Sequence, residues 1–150
     1  MATWKDVESA EPAFAARART LLDAHKHKTI ATLRADGAPR ISGIEVQFAG
    51  GDLTFGSMPG ARKGADLRRD PRFALHSASV DPPEDQASWA GDAKVAGRAQ
   101  LVGPLDGEVE GDLFRADIDE VVVTGLNAAA TMLVVEFWTP ARGLRRVERE

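Results

Sequence analysis

The 150-residue chain contains no cysteine, which excludes disulfides, thiolate chemistry and cysteine-ligated metals. It also lacks any apolar run approaching the roughly 20 residues that a membrane helix needs. The N-terminus, "MATWKDVESAEPAFAARARTLL", has acids early and no uninterrupted apolar segment, so it does not read as a signal peptide. A cytoplasmic protein without a membrane partner is the expectation. Excess positive charge is missing as well: 19 Lys and Arg stand against 23 Asp and Glu, a net charge of -4 at pH 7. A general grip on nucleic acid needs a basic surface, so no nucleic-acid partner is expected. A small basic pocket within an acidic chain remains compatible with that balance.

Several catalytic signatures are absent. No GKS or GKT follows a glycine turn, no GxGxxG opens a strand-to-helix unit, and no serine stands in a G-x-S-x-G elbow. The three histidines, His25, His27 and His76, are too dispersed for a metal motif, and no metal site is expected. Glu108, Glu110 and Asp112 alternate as acids in a solvated turn do. There are no internal repeats.

What is present is a 43% hydrophobic, 28% charged chain, the composition of one globular domain over residues 1–150. Pro12 opens a helix over 12–24, with Phe14, Ala18, Leu21 and Leu22 on one stripe. "TIATLR" (29–34) reads as a strand, Asp36-Gly37 as its turn, and "PRISGIEVQF" (39–48) as a second strand. In the latter, Ser42, Ile44, Val46 and Phe48 form the core face; the opposite face mixes apolar and polar groups, as at a pocket or an interface. "LTFGS" (53–57), "PRFALHSAS" (71–79), "DAKVAGRAQLVG" (92–103, kinked at Gly97), "DEVVVTGL" (119–126) and "TMLVVEFW" (131–138) follow as strands. A helix is expected over 61–69 and a weak one over 106–114. The tail "RGLRRVERE" reads as a last strand or a clasp, and Trp89, in the loop 80–89, as a lid or a plug for the barrel end. Short turns without a βαβ rhythm point to a mainly β fold, an antiparallel barrel of Greek-key type with short helices, closed so as to leave few edges.

The most informative stretch is "SMPGARKGADLRR" (57–69). Ser57 ends a strand, Met58 to Gly60 turn the chain, and Ala61, Arg62 and Lys63 start a helix. Unpaired backbone donors and two cations then meet at one point, a favourable place for a phosphate ester. Cations oppose the helix dipole at that end unless an anion offsets them. Solvated surface charges are the competing reading. Arg40, on the neighbouring strand, is either a third cation or an edge charge.

The blocks "TIATLRADGAPRISGIEVQF", "GDLTFGSMPGARKGADLRRDPRFALHS", "KVAGRAQLV" and "LVVEFWTPARGLRRV", in that order, resemble the pyridoxamine 5'-phosphate oxidase-like family of flavin and deazaflavin split barrels. The resemblance spans about residues 20–147, and its middle block is the most specific. It implies a split β-barrel and a homodimer with two cofactor sites at the subunit interface. It also implies that Arg62 and Lys63 hold the cofactor phosphate, that Arg40 contributes a phosphate or ring contact, and that Ser57 and Met58 lie beside the ring or its side chain. Gly43, Ile44 and Glu45 would border the ring. Apart from the resemblance, "VVEFW" alternates Val134, Glu136 and Trp138 against Val135 and Phe137, so one of the two aromatics is expected in the core and Trp138 is expected to face the partner subunit or the ring. The further basic and histidine residues that serve the substrate phosphate in members oxidising pyridoxamine phosphate have no counterpart here. Arg142, Arg145 and Arg146 do not match their spacing. The resemblance therefore implies an FMN- or F-420-dependent oxidoreductase acting on a small conjugated substrate. The alternatives are a non-catalytic flavin, haem or tetrapyrrole carrier, and an interaction domain with an empty cleft.

Overall fold

The structure is a computed structural model that describes residues 1–105 and 110–150. Two helices open the chain, α1 (Trp4–Ala10) and α2 (Pro12–Asp23). The sequence reading had no counterpart for α1, a seven-residue helix that a capping box starts. Thr3 Oγ1 accepts from Asp6 N–H, and the Asp6 carboxylate accepts from Thr3 N–H at 2.8 Å. So short a helix does not stand alone; buried Trp4 and Val7 attach it to the barrel, Trp4 lying 4.8 Å from the Phe48 ring. Thr3→Ala is expected to lower stability by about 1 kcal/mol, read by denaturant unfolding, since one reciprocal cap is lost.

Among the described residues nine strands follow, interrupted by α3 (Arg62–Arg69): β1 (Lys28–Leu33), β2 (Pro39–Ile44), β3 (Val46–Ala49), β4 (Asp52–Ser57), β5 (Arg72–His76), β6 (Asp92–Pro104), β7 (Asp112–Leu126), β8 (Leu133–Thr139) and β9 (Gly143–Arg149). All pairings are antiparallel, in the order β2-β1-β5-β6-β7-β4-β3, with β8 and β9 extending from β7. The long β7 gives one edge to two partners. Its Asp112–Arg115 end pairs with β4 and its Val121–Leu126 end with β8.

Three expectations are corrected. The strand read over 39–48 is two strands, broken at Glu45: β2 pairs with β1, and β3 swings away to pair with β4. Its alternation survives the bend, because Ser42, Ile44, Val46 and Phe48 remain the more buried side and Ile41, Gly43, Glu45 and Gln47 are exposed. That break also keeps the sheet from closing. Its two ends, β2 and β3, are successive pieces of one bent chain and do not pair with each other. The fold is therefore a split barrel with an open seam. Third, the weak helix of 106–114 is not found where it can be followed, since Asp112–Phe114 begin β7; its residues 106–109, Glu108 among them, lie outside the described residues.

Residues 71–79 form a shorter strand than expected, ending at His76. Beyond it the Ser77 hydroxyl, rather than a carbonyl, accepts from Ala93 N–H at 3.0 Å. The tail is a strand, β9. Trp89 is half-buried and lines a hollow of about 260 Å³ with Leu21 and Pro83, between the end of α2 and the loop. The core is continuous from α2, through Phe14, Ala18 and Leu22, to the inner faces of the strands. Phe55 is its centre, edge-on to Phe73 at 5.2 Å and stacked with Phe114 at 6.2 Å.

Candidate functional site

β4 ends at Ser57, and the chain must turn sharply to lay α3 across the barrel. Gly60 makes that turn at φ +74°, a left-handed conformation that a side chain disfavours. Ala61 N–H closes it on Met58 C=O at 3.1 Å. Ala61 is then the N-cap of α3, and its methyl offers no acceptor. The N–H groups of Arg62, Lys63 and Gly64 therefore find no partner among the described residues, where a Ser or Asp cap would have taken one of them. Gly64 lets this turn seat tightly, because a Cβ there would run into the Ser57 hydroxyl. A glycine inside a helix costs about 1 kcal/mol relative to alanine, so Gly64 was a readable signal of close approach that the sequence reading passed over.

Around this helix end lie two hollows that share Met58. One, about 390 Å³, runs along the Ser57–Gly60 turn and α3 to Arg68 and Asp112. The other, about 430 Å³, is bordered by Gly43, Ile44, Glu45, Gly56, Lys63 and Leu105. Thus Gly43 and Ile44 of β2, Glu45 at the bend, Ser57 of β4, Met58 of the turn and Lys63 of α3 gather around one helix end. Arg62 is exposed at the same helix end and makes no hydrogen bond or ion pair among the described residues. Lys63 is half-buried, its ammonium donating to the Gly43 carbonyl at 3.3 Å across the second hollow. Glu45 is exposed and flanked by Lys26 at 3.7 Å and His27 at 3.9 Å. His27, Gly56 and Leu105 were missed by sequence reading. The first looks like a solvated junction residue, and the other two are ordinary in their local context.

Two candidates stand apart. Trp138 is 4% exposed and belongs to the core; of the two aromatic residues in β8 it is the inward one. Phe137 occupies the outer face, under the Arg145 guanidinium at 4.5 Å. The expectation that Trp138 faces a ring or a partner is thereby corrected: Trp138 and Phe137 alternate, and the core takes the larger ring. Arg40 is engaged by Asp66, its Nε donating to Oδ2 at 2.7 Å. Asp66 also accepts from Thr32 Oγ1 at 2.8 Å and from Arg69 Nη2 at 2.9 Å. Burial pushes its carboxyl upward, but the hydrogen bonds from Arg40, Thr32 and Arg69 outweigh that and hold it below the ordinary carboxylate range.

A folded pKa below the unfolded value of about 3.9 contributes stability that is present above that pH and is lost as pH falls through the folded value. Denaturant unfolding of wild type is therefore expected to weaken below about pH 4 more steeply than that of Asp66→Asn, which has no such group to protonate. Parallel losses in the two proteins would show that Asp66 does not titrate in this way.

Among the described residues no three His, Asp or Glu side chains gather as a metal site, and no helix is long and apolar enough to cross a membrane. The sequence profile of the pyridoxamine 5'-phosphate oxidase family matches residues 14–133. No protein of curated function matches the chain. Among solved structures, it is similar to a pyridoxamine 5'-phosphate oxidase-related, FMN-binding protein from Nostoc punctiforme: TM-score 0.62 and 11% identity, covering 100% of this chain and 98% of that one. A heme-binding protein from Mycobacterium smegmatis is similar at TM-score 0.56 and 14% identity, covering 89% and 86%. An F420 reductase is similar at TM-score 0.53 and 17% identity, covering 69% and 94%. At such identities these likenesses speak for the fold alone.

Proposed function

The chain belongs to the pyridoxamine 5'-phosphate oxidase family, and from that membership we propose that it is a homodimeric oxidoreductase using FMN or the deazaflavin F-420 to reduce a small conjugated substrate. One observation carries the reading: the α3 N-terminus presents three N–H groups without a partner among the described residues, beside two hollows, with Lys63 bordering one of them and the exposed Arg62 next to it in the chain. An uncapped helix end with cations is unfavourable by itself and becomes favourable against an anion.

The residues present fit a phosphate-bearing ring. The N–H groups of Arg62, Lys63 and Gly64 and the charges of Arg62 and Lys63 would hold the phosphate. Gly43, Ile44 and Glu45 would border the ring, whose polar edge takes hydrogen bonds from exposed backbone. The Lys63 bond to Gly43 C=O ties the phosphate end of the site to this border. Met58, 68% exposed and common to both hollows, would cover the ligand and exclude water between them. When bound, such a ring carries the hydride itself, leaving binding, orientation and exclusion of side reactions to the protein. A second subunit would complete the site over the outer sheet face, where Ile41 is 76% exposed beside an apolar groove of about 360 Å³.

The test is titration of the ligand-free protein with FMN and with F-420, followed by ring fluorescence. Tight binding of one of them, at one per subunit, supports the reading and selects the cofactor. Binding of neither overturns it, and a haem titration then asks whether the carrier alternative holds.

A further inference from the structure

We propose that Asp66 is the positioning residue of this phosphate site, a buried clamp that fixes the N-terminal turn of α3 against β1 and β2. The proposal rests on the reading of that turn as a phosphate site and adds the group that holds it in place. The Asp66 side chain is 4% exposed and receives three donors from three elements: Thr32 of β1, Arg40 of β2 and Arg69 of α3 itself. Arg69 Nη2 also donates to Leu33 C=O at 2.9 Å, so the same nitrogen ties the helix to the β1 backbone. Asp66 lies one turn beyond the free N–H groups, and a helix moves as a rigid unit over that distance. Pinning Asp66 therefore sets where Arg62, Lys63 and Gly64 point.

A carboxylate so near a phosphate would repel it if unpaired. Here two guanidinium groups face one carboxylate, and the cluster as a whole is cationic. The clamp also accounts for Arg40, whose Nε is spent on Asp66 and not on a ligand. An asparagine at this position would present an amide N–H₂ to donors on three sides, a mismatch that loosens the helix without removing volume.

The experiment compares a ligand that carries the phosphate with one that lacks it, using whichever ring the protein retains: FMN against riboflavin, which differ only in the phosphate, or F-420 against its deazaflavin chromophore, which lacks the phosphate and the tail attached through it. Kd values are measured for wild type, Asp66→Asn and Arg69→Ala. In Asp66→Asn the preference for the phosphorylated member is expected to fall about tenfold, with the Kd of the phosphate-free member unchanged. Arg69→Ala, which removes one of the three donors, is expected to lower that preference about threefold. A merely structural role would weaken both members alike, so equal losses, or an unchanged preference, would overturn the proposal. Should Asp66→Asn fail to fold, Arg69→Ala decides it by the same criterion. A wild type that binds the two members equally would instead sink the phosphate reading itself, and the clamp with it.

Discussion

Replacing Arg62 and Lys63 together with alanine is expected to weaken binding of the phosphate-bearing cofactor by about 1.5–3 kcal/mol for each charge-assisted hydrogen bond lost, roughly 10- to 150-fold per residue. The same substitutions should leave the ligand-free protein no less stable. Arg62 is exposed and without a partner among the described residues, and both side chains sit at the end of α3 where the helix dipole disfavours a cation. Opposite signs in the two measurements would distinguish a binding site from a structural one. Part of the Lys63 effect passes through its bond to Gly43 C=O, so Lys63→Ala should also disturb the ring border, whereas Arg62→Ala should act on the phosphate alone. Added salt should erode the Arg62 contribution first, because an exposed charge is screened over about 8–10 Å while the backbone N–H groups stay in contact. Equal affinities in the double variant and wild type would leave Arg62 and Lys63 as surface charges.

Gly97→Ala is the second large effect, expected to cost about 2–3 kcal/mol in denaturant unfolding. Gly97 is buried in the middle of β6, where the register with β7 shifts: Ala96 faces Glu120, but Gly97 faces Ile118, leaving Asp119 as the extra residue. The bulge bends both strands and brings the Asp117 carbonyl against Gly97. A Cβ there would overlap that oxygen and stand 3.1 Å from Ile118 Cα. The β7 backbone at Asp117 and Ile118 cannot rotate away as a side chain would, so the sheet must shift or the bulge must open. A change within about 0.5 kcal/mol, as at an ordinary surface position, would show that the pairing relaxes freely.

Both predictions began in the sequence, to different depths. Gly97 was readable as a kink because a lone glycine interrupts a run of alternating strand residues, yet which carbonyl fills the space of its missing side chain depends on β7, some 20 residues later. The basic pair was readable because turn, helix start and charge are all local. Its setting was not. Thr32 and Arg40 meet Asp66 across separations of 34 and 26 residues, and in the chain "KGADLRR" a single acid among cations looks like a solvated helix face. Glu45 is similar: alternation persists through the bend, so the local pattern cannot show that the chain has changed partners from β1 to β4.

The sequence by itself determined most of the strand segments and helices α2 and α3, the mainly β class, the family and the place where cations meet a helix start, because propensity, periodicity and turn chemistry act over a few residues. Only the tertiary structure decided that the barrel stays open at the Glu45 bend, that Trp138 turns inward, and that Asp66 holds α3 against two strands. Each of these depends on which distant segments pack together, and burial and pairing across the sheet choose that after the local pattern is already satisfied.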